Sequence, residues 1–578
     1  MAPVQAADEE ASVTVEIQGL EDALRENVTR FLTIATLVRT TSLSGMFSSA
    51  DESVTTAGQI RRAHQLADEQ IQQALVPFGY YLPRINSSLT EDQGSFVATY
   101  IVQAGPAAII EQADVSVVGP GADLPQVALA LAEPKPEVGA QLSHELYEAT
   151  KQRLFDAVYD AGFLQARWLG RAIEVSADRR SARIMLRLQT GPRFYFGKVS
   201  VDQSILHTDY MRRFVQIRPG DPYDVASLLK LQNDLSLTNY FSSIEVQAQP
   251  HTADAQRRIP VQVVTTPAKR RKHAVGLGFG TDTGPRMKLS SEWRRVNKRG
   301  HRLRADLGLS SIEQGIGVRY EMPIRNVNRD MFALSARAAR DETGDVRSDR
   351  YAIRAEQAVD WLGFRRTLYF AAERENFEFD SVPSQQSTLY YPGLLVSRER
   401  ANDTRYATRG YGAHLDVRVG SRGLGSDVDF RRVLLTGRWL RGLSSRSRLI
   451  LGAQAGALWT NDFDRLPPAQ RFFAGGDRSV RGYSFEDIGL RNAGGDVIGG
   501  RRLLAASVEL EHLLVGNYGA ALFVDAGDAF ANSPDLKLGA GIGLRWRSPV
   551  GMVRLDLAHP FDDDDKSVRV HFTIGATL

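Results

Sequence analysis

The chain contains no cysteine in its 578 residues, which excludes disulfide frameworks and cysteine metal sites. It also lacks any apolar run of about 18 residues, so helical membrane spans are not expected. Membrane strands escape that test, because their lipid-facing residues come only at every second position. No sign of charge dominates: 71 Lys and Arg stand against 68 Asp and Glu, a formal net of +3, so no nucleic-acid surface is indicated. The ten histidines do not fall at ligand spacing, and there is no phosphate-binding glycine loop with its lysine, no HExxH and no nucleophilic triad. An enzyme, a cofactor and a metal centre are therefore not expected. The N-terminus, MAPVQAADEE, has neither a basic stretch nor an apolar core. Either a signal peptide has been removed and Met1 supplied in its place, or the protein is not exported.

What is present divides into two halves. The first 267 residues repeat with a period of about 80. Each unit has an amphipathic helical stretch, an aromatic turn and a strand. The turns are Phe78-Gly79-Tyr80-Tyr81, Ala161-Gly162-Phe163 and Asn239-Tyr240-Phe241. Gly105-Pro106 and Gly191-Pro192 open the second and third units, which sets domains at 11–104, 105–190 and 191–267. Leu146, Leu154, Ala157 and Val158, and later Leu228, Leu231 and Leu235, recur at helical spacing. The pattern predicts three α+β modules, each with two helices on one face of a short sheet. Three ordinary α+β domains of unrelated use give the same periodicity.

From about residue 268 the period becomes two. Val275, Leu277 and Phe279 alternate with Ala274, Gly276, Gly278 and Gly280. Leu522 and Val524 alternate with Phe523, Asp525 and Gly527, and Val570, Phe572 and Ile574 with Arg569, His571 and Gly575. One apolar face and one charge-bearing face fit a barrel with a greasy outside and a wet lumen. Five of the six Trp lie in this half, as interfacial girdles require. A soluble sandwich gives the same alternation but buries its apolar face. Roughly 310 residues at about 19 per strand and connection allow about sixteen antiparallel strands over 268–578.

Counting back from the end, strands fall near 568–578, 551–558, 537–547, 518–527 and 502–514. Short connections (Gly516-Asn517, Ser548-Pro549) alternate with longer ones, and short turns belong on the periplasmic side. The segment Thr460–Arg501 then lies on the outer side, and its length points to function. Its glycines let it fold back into the lumen, carrying Val480-Arg481-Gly482-Tyr483. A guanidinium out of bulk water needs a partner, and Asp525, pointing inward, is the candidate. A solvated loop arginine is the plain alternative.

These residues carry a resemblance. Arg471–Gly476 with Val480–Tyr483 is similar to the sixth-loop signature of the BamA/two-partner-secretion outer-membrane superfamily. Phe523-Val524-Asp525-Ala526-Gly527 resembles its Phe-x-Asp-x-Gly strand motif, Gly541–Asp556 its penultimate-strand pattern, and the repeats its POTRA domains. The resemblance implies that Arg481 and Asp525 lock loop to wall. Three repeats, Tyr483 in place of Phe, and an end at Ile574-Gly575-Ala576-Thr577-Leu578 look most like the TamA family within it. That family implies help in inserting or secreting outer-membrane proteins such as autotransporters, with a TamB-like inner-membrane-anchored partner.

The expected work is mechanical. Gly276, Leu277, Gly278 and Gly280 on the first strand face Ile574 and Gly575 on the last, and glycine weakens strand pairing, so this seam is the expected lateral gate. A bond tying residue 277 to residue 574 should then stop assembly. A BamA-like insertase, a two-partner secretion pore, a passive porin and a soluble scaffold are the rival readings. Lys269-Arg270-Arg271-Lys272 suits outer-membrane lipid phosphates or a solvated linker equally, and Asp562–Asp565 with Lys566 reads as an acidic turn.

Overall fold

The computed structural model describes residues 11–37, 55–92, 94–324, 330–403, 406–549, 551–563 and 567–575. Asp564, Asp565 and Lys566 of the acidic turn, and Ala576, Thr577 and Leu578 of the expected last strand, lie outside them. The chain divides into two compact units. One holds Met1–Ser200, Ile217–Lys230 and Val246–Gln262, and the other Val201–Gln216, Leu231–Glu245 and Val263–Leu578.

The repeats share one plan: strand, two helices, then a hairpin. In the first, β1 (Ser12–Gln18) is followed by helices Asp22–Phe31 and Ala57–Leu75, then β2 (Arg84–Asp92) and β3 (Ser95–Gln103). The hairpin's second strand takes the middle of the sheet, parallel to β1 and antiparallel to β2. Thr56 caps the long helix, accepting from the Gln59 N–H while the Gln59 side chain accepts from the Thr56 N–H. Ile60, Ala67 and Ile71 of that helix are buried with Phe96, Ala98 and Tyr100 of β3. The second repeat runs β4 (Ile109–Val118), helices Pro125–Ala132 and His144–Asp160, β5 (Arg167–Val175) and β6 (Ser181–Gln189). The third runs β7 (Tyr195–Asp202), helices Thr208–Arg212 and Val225–Ser236, β8 (Phe241–Ala248) and β9 (Arg258–Pro267). Each aromatic turn leaves its helix through a left-handed residue: Gly79 at φ 83°, Gly162 at φ 89° and Asn239 at φ 58°. Asparagine tolerates that region better than other side chains, which is why the third repeat can dispense with glycine.

The second half is one sixteen-stranded sheet, β10 to β25, each strand hydrogen-bonded to the next in sequence. The final five are β21 (Arg502–Val515), β22 (Tyr518–Phe530), β23 (Lys537–Ser548), β24 (Gly551–Pro560) and β25 (Arg569–Gly575). Burial runs opposite to that of a soluble protein. Val508, Leu522, Ile542 and Leu544 are exposed, while Glu509, Glu511, Asp525 and Arg545 are buried. An outward apolar band around a charged interior is what lipid outside and a polar lumen dictate.

The loop joining β20 (Ser447–Thr460) to β21 supplies the nearest thing to a barrel core. Its Phe472, Val480, Tyr483 and Ile488 are buried together with the wall residues Tyr369, Leu389, Tyr391, Phe430 and Leu503. The first strands are short by comparison: β10 (Arg271–Gly280), β11 (Gly284–Trp293), β12 (Arg302–Leu309) and β13 (Glu313–Pro323). The longest of the sixteen, β17, runs Val382–Ala401.

Candidate functional site

The site is the docked loop and the wall that receives it. Three short backbone bridges, Phe472 with Gly500, Ala474 with Ile488 and Arg491 with Val497, fold the loop on itself. Gly482, at φ 99°, turns the chain where a Cβ would lie 3.0 Å from the Pro560 nitrogen. That turn presents Arg481 to the inward faces of β21, β22 and β24.

Arg481 is buried there and meets Asp525 with two parallel bonds, from Nε at 2.7 Å and from Nη2 at 3.0 Å. Its backbone N–H donates to the same carboxylate at 3.1 Å. The fork-to-fork geometry fixes the direction of the side chain as well as its depth. Nη1 donates to Glu509 at 2.8 Å and to Asp556 at 3.0 Å, and the guanidinium stacks 3.5 Å above the centre of the Phe523 ring. The expected single partner is thus one of three carboxylates. Glu509 and Asp556 escaped the sequence reading, although the inward alternation of β21 and the end of the Gly541–Asp556 stretch carried their signal.

Those carboxylates are shared with a second buried cation. Arg545 donates to Glu509 at 2.7 Å, to Glu511 at 3.0 Å, and also to Asp556. Glu511 in turn accepts from Arg448 at 2.5 Å. A buried charge lacking a partner is costly, and here every carboxylate that meets Arg481 meets a further donor, Ser507 serving Asp525 at 2.6 Å.

The close approach depends on missing side chains. In the ladder Gly539 stands opposite Asp525, and a Cβ on Gly539 would fall 2.0 Å from the Arg481 carbonyl oxygen. A Cβ on Gly527 would lie 2.9 Å from the Val480 side chain. Tyr483 donates its hydroxyl hydrogen to the Leu538 carbonyl at 3.2 Å and accepts from the Asp562 N–H at 3.1 Å. Val480, Arg481, Gly482, Tyr483, Phe523, Asp525 and Gly527 therefore meet in one place.

The loop also reaches both sides of the seam. Gly482 N–H donates to His571 Nε2 at 3.0 Å, so Nδ1 carries the proton that His571 gives to Asp477 at 2.6 Å. The Asp477 N–H donates to Asp282, in the β10–β11 turn, at 2.7 Å. His571 is on the last strand, so one loop residue touches both barrel ends. None of these three residues was singled out from sequence.

At the seam itself the described residues of β10 and β25 share no ladder. Thr281 N–H reaches the Phe572 carbonyl at 3.4 Å, the Phe572 N–H reaches Thr281 Oγ1 at 2.6 Å, and the Phe279 and Phe572 rings lie 6.1 Å apart. Leu277 is 81% exposed, and Gly276, also exposed, has room for a Cβ, whose nearest atoms would be those of Lys288 at 3.9 Å. Continuing the Thr281–Phe572 contact as an antiparallel register puts Ile574 beside Phe279. Leu277 lies two residues further along β10 from that contact. Gly278, Gly280 and Gly575 occupy the same two strands.

Residues 295–578 match the Omp85 superfamily domain. The barrel is an Omp85 superfamily domain. Residues 14–104 match the POTRA domain described as TamA domain 1. The chain is 24% identical over 466 residues to the outer membrane protein assembly factor BamA of Nitratidesulfovibrio vulgaris, covering 75% of this chain and 57% of that one. It is 20% identical over 490 residues to BamA of Neisseria meningitidis serogroup B, covering 70% and 59%. The chain thus spans under two thirds of the curated relatives it matches. The crystal structure of BamA from Haemophilus ducreyi lacking POTRA domains 1–3 is similar in fold, with a TM-score of 0.67 at 15% identity over 81% of this chain and 99% of that one. The Omp85 domain here is an outer-membrane barrel, and its N-terminal POTRA domains lie in the periplasm.

Proposed function

We propose that this protein is an outer-membrane assembly and translocation factor that helps insert or secrete outer-membrane proteins, autotransporters among them, through the seam between β10 and β25. The carrying observation is the contrast at that seam: the closing strands meet at Thr281 and Phe572, while the loop behind them is fixed to the wall through Arg481. An edge strand with unpaired backbone groups templates another strand, so β10 offers an incoming client a place to add its first hairpin. No nucleotide is required, because pairing of the client's backbone and burial of its apolar face in lipid supply the drive.

Arg481, Asp525 and their neighbours keep the β21–β24 wall rigid while the seam yields. The periplasmic POTRA sheets present edges for clients or for a TamB-like inner-membrane-anchored partner, in keeping with the first-domain match. A two-partner secretion transporter is the neighbouring reading and differs in exporting one dedicated chain through the lumen.

The test is a reversible tie across the gate. Phe279→Cys with Ile574→Cys should block assembly of several outer-membrane barrels when oxidised and restore it on reduction. Undiminished assembly by the oxidised protein would remove the lateral gate. Loss of one secreted chain alone, with steady ion conductance, would favour the secretion transporter.

A further inference from the structure

The periplasmic rim beside the seam carries a charge pattern that protein assembly leaves unused. Lys269-Arg270-Arg271-Lys272 leads into β10, and the turn from β11 to β12 adds Arg294, Arg295, Lys298 and Arg299. Among the described residues none of these eight cations forms a salt bridge. The carboxylate nearest them in the ladder is Glu292, opposite Lys272. Burial, and then the neighbouring Arg270, lower the pKa of the Arg295 guanidinium below the usual arginine range.

The crowding is built into the backbone. Arg270 donates to the Arg295 and Val296 carbonyls at 3.0 and 3.1 Å, and Arg294 to the Lys269 carbonyl at 3.3 Å. The turn is held again by the His207 N–H on the Lys298 carbonyl at 2.9 Å and by the Tyr240 hydroxyl on the Gly300 carbonyl at 2.5 Å. Two arginines thus brace the turn, while Lys269, Lys298 and Arg299 extend into solvent from a fixed base and Lys272, opposite Glu292, shares the lumen face with Ala274 and Gly276.

Position identifies the partner. Along the outward face of β10 and β11 the opposed pairs are Arg271 with Trp293, His273 with Ser291, Val275 with Leu289, and Leu277 with Met287. The sequence passes from cation and indole, through a polar step, to apolar residues exposed to lipid. Arg271 lies 5.7 Å from the centre of the Trp293 ring, and a tryptophan there marks the headgroup level of the bilayer. Strand rise of about 3.4 Å per residue puts the cations one headgroup depth below the apolar pairs.

We propose that this rim binds the phosphate groups of anionic phospholipids in the periplasm-facing leaflet, at the foot of the seam. Lys269, Lys298 and Arg299 supply the charge, and Trp293 sets the depth of the acyl boundary. The site does not depend on the assembly reading: a chain that holds anionic lipid but assembles no client would separate the two.

The full chain, released from nanodiscs of equal phosphatidylglycerol and phosphatidylcholine, can be weighed with its retained lipids by native mass spectrometry. Wild type should retain phosphatidylglycerol in excess. K269Q/K298Q/R299Q should lower that excess by roughly tenfold, and K298Q/R299Q alone by about threefold. R62Q/R84Q/R183Q removes the same charge from the first two repeats and should leave the excess intact. Heat-modifiable gel migration identical to wild type verifies that each barrel is folded. An unchanged excess in the rim variants, or an equal fall in the control, overturns the proposal; so does retention indifferent to high salt.

Discussion

Two stretches of the same barrel wall use one alternating pattern to opposite ends. Around the loop, β21 to β24 face the lumen with Glu509, Glu511, Asp525, Arg545 and Asp556, cross-linked to Arg481 and Arg448. Beside the seam, the first strand faces it with Ala274, Gly276 and Gly278, which bring no side chain able to cross to a neighbour. One wall is over-determined and the other under-determined. The difference teaches where a closed barrel can open: where the first strand sends no long side chain across the lumen face, and only the loop's Asp477 bridges its end to the last strand.

The largest effect should come from breaking the rigid side. Asp525→Ala leaves Arg481 buried with its bidentate partner gone and should cost about 3–5 kcal/mol of barrel stability. The checks are the urea midpoint of the heat-modifiable band and protease accessibility of the loop. Arg481→Met, which leaves the buried Asp525 carboxylate with Ser507 and takes one of two shared cations from Glu509 and Asp556, should cost at least as much on its own and should lessen the further cost of Asp525→Ala. Additive losses would mean that the two groups do not act as a pair.

Next comes the steric arm of the same comparison. Gly539→Val puts branched carbons where the Arg481 carbonyl sits, so the loop must withdraw or the strand must shift. A destabilisation of about 1–3 kcal/mol is expected, with faster cleavage of the loop by external protease. The same change at Gly437, where a Cβ meets nothing within 4 Å, should leave the loop protected.

A smaller change should appear where the loop bridges the two barrel ends. His571→Phe removes both the acceptor for Gly482 and the donor to Asp477, and should cost about 1–2 kcal/mol. The more telling readout is the seam. Amides of β25 should exchange faster in this variant while those of β22 keep their protection. Parallel acceleration of both strands would mean that the loop does not distinguish seam from wall.

How much of this could be read from residues alone depends on register. The alternation fixed which side chains point inward, and the short turn Gly516-Asn517 fixed which strands are neighbours. It did not fix which inward residues meet. A bulge between Leu513 and Val515 shifts the β21–β22 ladder by one, and only after that shift does Ser507 stand opposite Asp525. Counted from the turn without it, Asp525 faces Val508, which points outward, and that mismatch of faces was the available clue. Asp282, Asp477 and His571 were hidden for a different reason. They lie on a turn, a loop and a strand far apart in the chain, and closure of the barrel brings them together.

The gentlest test acts on the under-determined wall itself. A methyl group at Gly276 has room, its nearest neighbour atoms being those of Lys288 at 3.9 Å. Gly276→Ala should therefore stabilise β10 by about 0.5–1 kcal/mol, by removing backbone freedom that glycine alone enjoys. If seam opening limits assembly, that gain must be overcome each time a client enters, so client insertion should slow by a small factor while the barrel's urea midpoint rises. Gly452→Ala is the matched control: it too has space, with the Ser507 side chain at 3.6 Å, but it sits on β20, away from the seam. Slower assembly in the first variant and not in the second ties the rate to the first strand. The same slowing in both would trace it to overall barrel stiffness, and the contrast between the two walls would then have no part in setting the pace.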